Sequence, residues 1–135
     1  MLLTGVQLER GINTPFEIRP LATELPLCQR YYETSYEAGT PVGTATTNAA
    51  PGWSYVSSNR PKHFIPFKVQ KRAVPAPAMW NPVNPYSATL RNIDASTSGA
   101  YTIDGAGMNG FRVYSTATAT LGQEVSGHFA ANAEL

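Results

Sequence analysis

Short runs of alternating apolar and polar residues recur along the chain, separated by turns rich in glycine and proline. In the clearest run, residues 62–69, Ile65 and Phe67 share one face, and Phe64 and Pro66 share the other. This alternation is typical of a half-buried strand. Because proline cannot donate to a strand ladder, Pro66 makes it an edge or bulged strand. About eight or nine such runs, roughly ten residues apart, predict an all-β fold: an antiparallel, jelly-roll-like β-sandwich.

The predicted strands cover residues 2–9, 32–36, 53–57, 62–69, 78–80, 88–94, 100–103, 110–120 and 124–134. The first belongs to an N-terminal strand and connector, residues 1–20, ahead of a β-sandwich domain of residues 21–135. An unpaired strand exposes backbone groups and apolar side chains that invite a partner. We therefore expect it to pair elsewhere in this domain or with another copy, unless the chain is a fragment of a longer protein.

One segment changes to a helical period. Thr23 is a suitable N-cap, and the pattern predicts a short helix over residues 24–31. Four residues at spacings of four, three and four form its apolar stripe: Leu21, Leu25, Cys28 and Tyr32. A helix this short is stable only when docked. We therefore expect the stripe to pack on the sheet or on neighbouring subunits.

Charge and hydropathy narrow the range of partners. The net charge of the 135 residues is +1, which leaves no basic surface for nucleic acid. A mild basic cluster of Lys62, Lys68, Lys71 and Arg72 is predicted to be a solvated strand face and strand end. No run approaches the roughly 20 apolar residues that span a bilayer, and the first residues lack the basic flank of a signal peptide. We expect no nucleic-acid partner and no membrane insertion.

Groups suited to catalysis are sparse. The single cysteine, Cys28, cannot form an internal disulfide and is interpreted as a small buried hydrophobe. His63 and His128 lie on different predicted strands, and neither belongs to a metal-binding motif. Asp94 and Asp104 could be neighbours in a hairpin, but both have the character of turn residues. We expect no enzyme activity, no catalytic residue, no cofactor and no metal.

The most specific pattern lies in the first 32 residues. It reads TGVQLERG, then TPFEIRP, then ELPLCQRYY, and the chain closes with HFAANAEL. These segments resemble the C-terminal domains of bacteriophage and prophage tail-fibre-like proteins, in which the first pattern joins a carbohydrate-binding-like jelly roll to a terminal β-domain. About a third of the chain carries the resemblance, at both ends of the domain.

The resemblance implies a homotrimer, because such fibres are built of three chains. It also implies a place at the tail-fibre tip of the virion, after synthesis in the host cytoplasm. The implied partners are other virion tail proteins and a host-surface glycan or lipopolysaccharide. The candidate trimer interface is the helical stripe: Leu21, Leu25, Cys28 and Tyr32.

Flat aromatic rings beside polar residues suit sugars, which are apolar on one face and polar at the rim. The candidate receptor-binding residues are Trp53, Tyr55, Trp80, Asn81, Asn84, Tyr86 and Asn109. We expect the loops of residues 38–52, 81–87 and 104–110 to face the receptor. Such rings also commonly fill a sandwich core, and asparagines commonly form turns. Two other functions stay open: a monomeric carbohydrate-binding module, and a head-decoration or fibre-assembly protein.

Overall fold

The computed structural model describes residues 11, 15, 20–54, 62–84, 88–115 and 120–134. The predicted first strand, most of the connector, Tyr55 and Tyr86 lie outside these residues. The described chain contains one helix, α1 (Leu21–Gln29), and nine strands: β1 (Tyr32–Thr34), β2 (Gly52–Ser54), β3 (His63–Pro66), β4 (Ala76–Trp80), β5 (Thr89–Asn92), β6 (Thr97–Gly107), β7 (Gly110–Ser115), β8 (Glu124–Ser126) and β9 (His128–Asn132). This confirms the prediction of an all-β sandwich with one short helix.

The strands form two antiparallel sheets. The smaller sheet has the order β1-β9-β4, and the larger has the order β2-β8-β5-β6-β7-β3. Strands β5, β6 and β7 form a continuous meander, whereas β9 pairs with two strands that are distant in sequence. The last strand therefore ties the region around α1 into the sandwich.

The core lies between the sheets and is centred on three phenylalanines. The ring centroids of Phe67 and Phe111 are 5.8 Å apart, and those of Phe111 and Phe129 are 5.4 Å apart. The other buried members of this cluster are Trp53, Ile65, Met79, Leu90, Val113, Val125 and Ala131. Most of them come from alternate positions of their strands, as a half-buried sheet requires.

Strand β3 has the predicted faces. Ile65 and Phe67 are buried, whereas Phe64 and Pro66 are exposed. Among the described strands β3 pairs only with β7, so it is an edge strand, and the prediction drawn from Pro66 is confirmed.

The helix begins earlier than predicted. Its N-cap is Pro20 rather than Thr23, and no side chain caps it. The extended Pro20 carbonyl accepts from the backbone N–H groups of Thr23 and Glu24, at 2.8 and 3.1 Å. Thr23 therefore lies inside the first turn, and the helix ends at Gln29, two residues before the predicted end.

The final predicted strand, residues 124–134, is two strands. The chain leaves the larger sheet after β8, passes Gly127 and enters the smaller sheet as β9. The Gly127 N–H donates to the Pro51 carbonyl at 3.2 Å instead of to a neighbouring strand. The alternation of side chains continues through this crossover, so it could not show that the strand changes sheets.

Strand β6 is longer than the predicted residues 100–103. It includes residues 97–99, predicted as a loop, and residues 105–107, predicted as a turn. Its register against β7 shifts between Ile103 and Ala106, where Gly105 has a φ of +88°. Glycine adopts this conformation without strain, so the residue predicted to end the strand forms a β-bulge within it.

Candidate oligomerisation and receptor-binding surfaces

Among the residues that the structure describes, none covers the apolar stripe of α1. No residue of α1 is buried, and Leu21 and Leu25 are 78% and 51% exposed. Cys28 and Tyr32 are exposed as well, so the interpretation of Cys28 as a buried hydrophobe is wrong. We call Leu21, Leu25, Cys28 and Tyr32 the α1 face. The α1 face was expected to pack either on the sheet of its own chain or on neighbouring subunits, and the described strands of the sheet do not cover it.

The C-terminal end of α1 is firmly attached to the sandwich. The Arg30 and Tyr31 carbonyls accept from the backbone N–H groups of Arg72 and Ala133, at 3.0 and 2.7 Å. The Lys71 ammonium also donates to the Gln29 carbonyl. These bonds satisfy backbone acceptors that a helix end leaves without partners. The α1 face is therefore held in a fixed position although its own side chains are not packed.

A buried ion pair supports this attachment. Lys71 and Glu33 are 2% and 3% exposed, and the Lys71 Nζ lies 2.6 Å from the Glu33 Oε2. The Glu33 carboxylate also accepts from the Lys68 backbone N–H at 3.0 and 3.1 Å. The Lys71 ammonium lies 4.7 Å from the Phe67 ring centroid. Both charges therefore have partners, as burial of an ion pair requires.

The prediction that Lys71 is a solvated residue is wrong. Its partner Glu33 is 38 positions away in the sequence, and no local pattern relates the two. Lys62, Lys68 and Arg72 are exposed, as the prediction for the basic cluster requires.

A cavity of about 340 Å³ adjoins the α1 face. Leu25, Cys28 and Tyr32 form one part of its lining, and Tyr36 and Lys68 contribute to the rest. The α1 face is therefore continuous with a depression that could receive a side chain of a partner.

Two candidate receptor-binding residues are internal. Trp53 belongs to the core, and its ring stacks on His63 with centroids 4.9 Å apart. Asn81 is fully buried. Its amide nitrogen donates to Thr89 Oγ1 and Ser98 Oγ at 3.1 and 2.8 Å, and its oxygen accepts from backbone N–H groups at 2.9 and 3.1 Å. Trp53 is thus a packing residue and Asn81 holds its turn in place, so neither is available to a receptor.

The other described candidates are accessible. Asn84 and Asn109 are exposed, and Trp80 is half-buried on β4. Asn84 follows the turn that Asn81 holds, and Asn109 lies between β6 and β7. Asn84 is exposed and Asn81 is buried, and the local sequence contains no signal for that difference.

His128 attaches the loop of residues 38–52 to β9. Its imidazole is fully buried and stacks on Tyr36, with centroids 3.9 Å apart. Nε2 lies 2.8 Å from the Thr46 carbonyl, so this nitrogen carries the proton and donates. Nδ1 then accepts from the Ser35 hydroxyl at 2.9 Å. The loop is therefore anchored by a neutral histidine.

This anchor predicts a loss of stability in mild acid. Burial lowers the pKa of His128 below its ordinary 6.5, with the Thr46 carbonyl opposing the effect, and burial also lowers the pKa of His63. The unfolded chain therefore binds more protons than the folded protein just below about pH 6.5. Stability is fully present above that pH and is lost as the pH falls toward the folded pKa values.

The check is urea unfolding across this range, comparing wild type with His128→Gln and His63→Gln. Each variant should lose its own share of the pH dependence, and a double variant should show almost none. Lys62 lowers the pKa of Asp104 below its ordinary 3.8, so that carboxyl titrates in a separate, more acidic window. A His128→Gln protein with the pH dependence of wild type would contradict the assignment.

The described residues contain no group of three His, Cys, Asp or Glu side chains placed to hold a metal ion. Within the same part of the chain, no helix has the length and apolar character needed to cross a membrane. No protein-family model, curated protein or solved structure matches the chain. The functional argument therefore depends on the surfaces themselves.

Proposed function

We propose that this protein is the C-terminal, receptor-binding domain of a trimeric, phage tail-fibre-like virion protein. The single observation that carries the proposal is the α1 face, which no described residue covers and which the hydrogen bonds at the end of its helix attach to the sandwich. A nine-residue helix is marginal in water without a packed face. Contact between copies would provide that packing.

The energetics favour self-association. Burial of one leucine side chain contributes about 1.5–3 kcal/mol, and each copy offers Leu21 and Leu25 together with Tyr32. The described residues of α1 include one acidic side chain, Glu24, so little charge opposes an apolar contact. The tail-fibre resemblance of the flanking sequence implies three copies.

The remaining surfaces suit a role at the end of a fibre. Of the predicted receptor-facing loops, residues 38–51, 81–84 and 108–109 lie between strands of the sandwich, which is a common arrangement for binding sites, whereas residues 104–107 and Gly110 belong to β6 and β7. A host-surface glycan or lipopolysaccharide is the proposed ligand, and other tail proteins of the virion are the proposed structural partners.

The deciding measurement is the solution mass from light scattering. We expect about three times the chain mass of 14.6 kDa. Leu25→Glu should reduce the mass to that of one chain, because a carboxylate in an apolar contact carries a large desolvation penalty. Leu121→Glu is the matched control, since Leu121 is 62% exposed in the turn before β8 and should leave the trimer intact.

A single-chain mass for the wild-type protein would overturn the trimer. It would favour the monomeric carbohydrate-binding module. Labelled protein should next be tested on candidate host cells and on virus particles. Binding to particles but not to cells would replace the receptor-binding role with head decoration or fibre assembly.

A further inference from the structure

A shallow cavity of about 270 Å³ opens at the end of the β6–β7 hairpin. We call it the hairpin cavity. Its lining joins the Phe64 ring of edge strand β3, the hairpin residues 105–110 and the Arg112 side chain. Three of the lining residues are glycines, at positions 105, 107 and 110. The cavity therefore brings an aromatic ring and a cation together in one place.

Phe64 points outward from the sandwich. It is 51% exposed, whereas its neighbour Ile65 is buried in the core. The edge of the Phe64 ring rests on Gly110, where a β-carbon would collide with it. Glycine thus lets the ring lie close to the hairpin, beside the partly exposed Met108. An exposed ring supported from below is the kind of surface on which the apolar face of a sugar stacks.

The rim of the hairpin cavity is polar and carries excess positive charge. Arg112, whose side chain is 54% exposed, donates from Nε to the Asp104 carbonyl at 3.1 Å. Its Nη2 lies 3.8 Å from the Asp104 carboxylate, which also accepts from Lys62. Two cations therefore accompany one carboxylate. A guanidinium has five N–H donors, so Arg112 can bind an anion while keeping its bond to Asp104.

The β-bulge positions these groups. Gly105 has a φ of +88°, and a β-carbon there would lie 3.5 Å from the Arg112 Nη2. The backbone turns at Gly105, so the carbonyl of Asp104 meets Arg112 from the facing strand. Bulges commonly redirect side chains at binding sites, and this one directs a guanidinium to the rim of the cavity.

We propose that the hairpin cavity binds an acidic saccharide, with a sugar ring stacked on Phe64 and its anionic group held by Arg112. Asn109, which is exposed at the turn and lines the cavity, would bind a sugar hydroxyl. The anion is the carboxylate of a uronic-type sugar or the phosphate of a phosphorylated one, because both match a guanidinium. This inference names the ligand class for the receptor-binding part of the proposed function and therefore rests on it.

The test is an NMR titration of the full chain with glucuronic acid, a hexose phosphate and neutral glucose. We expect both acidic sugars to shift resonances of residues 104–112, and neutral glucose to bind at least about ten-fold more weakly, the factor that 1.4 kcal/mol represents. Comparison of the two acidic sugars identifies the preferred anion. Equal binding of all three sugars, or shifts elsewhere in the chain only, would overturn the proposal.

Single substitutions test separately the stacking contact with Phe64 and the ionic contact with Arg112. Phe64→Ala should weaken the binding of all three sugars by about ten-fold, as expected for loss of an aromatic stacking contact. Arg112→Gln should weaken the binding of the two acidic sugars by a similar factor and leave the binding of glucose unchanged. Ile93→Ala is the control, since Ile93 is also a partly exposed apolar residue but does not line the cavity. Thermal unfolding of each variant verifies that the fold is intact.

Host-cell binding by the same proteins distinguishes the two proposals. If wild type and both variants bind cells equally, the hairpin cavity is not the site, although the receptor-binding function stands. If wild type binds neither cells nor saccharides, the receptor-binding function itself fails. Loss of cell binding in Phe64→Ala and Arg112→Gln, with Ile93→Ala unaffected, supports both.

Discussion

Replacement of Lys71 by methionine is expected to destabilise the protein by about 3–5 kcal/mol, the usual cost of breaking a buried ion pair. The reason is that the buried partner of Lys71, Glu33, remains. Glu33 is 3% exposed, and its carboxylate would stay in the interior without its cation. The Gln29 carbonyl at the end of α1 would also lose a donor. The expected observation is a large fall in the urea midpoint.

A double variant, Lys71→Met with Glu33→Gln, is the matched control. The glutamine oxygen can still accept from the Lys68 backbone N–H, and no unpaired charge is buried. The double variant should therefore be more stable than Lys71→Met alone, although it carries one more substitution. The explanation fails if Lys71→Met costs less than about 1 kcal/mol, below the range for a broken buried pair.

The same substitution connects stability with assembly. Lys71 contacts both the last residue of α1 and the first strand, so its loss should loosen the α1 face. We expect Lys71→Met to weaken the proposed trimer as well as the fold. Light scattering at increasing protein concentration measures this second effect separately from unfolding.

Gly127→Ala is expected to destabilise the protein by about 3 kcal/mol, at the upper end of the usual cost of overpacking. An added β-carbon would lie 2.5 Å from Leu90 Cδ2 and 3.4 Å from both Met79 Cε and the Trp80 carbonyl. Leu90 and Met79 are buried core residues and cannot move without opening the packing between the sheets. The crossover from β8 to β9 would be displaced.

The control for this substitution is Gly107→Ala. A β-carbon at Gly107 would meet its nearest neighbour, the Gly110 carbonyl, at 3.8 Å, which is an ordinary contact. We expect that variant to stay within about 0.5 kcal/mol of wild type, as most surface substitutions do. Similar urea midpoints for the two alanine variants would show that crowding at Gly127 is not the cause.

The sequence predicts the accessibility of some candidate receptor-binding residues and not of others, for a physical reason. Asn84 and Asn109 are accessible as predicted, but Trp53 lies in the core and Asn81 is buried. A tryptophan or asparagine between polar residues has the same local sequence whether it faces solvent or interior. Phe64 was not among the candidate receptor residues, although the alternation of residues 62–69 had placed it opposite Ile65 on the outer face. That alternation was the signal for an exposed aromatic ring.

The sequence by itself determined the class of fold, the faces of β3 and the presence of one short helix with an apolar stripe. These features depend on side-chain periodicity and on proline, which act within a few residues. Tertiary structure alone decided that β8 and β9 lie in different sheets, that Lys71 is buried against Glu33, and that no described residue covers the α1 face. Each of these depends on contacts between residues far apart in the chain, whose geometry exists only once the two sheets have packed together.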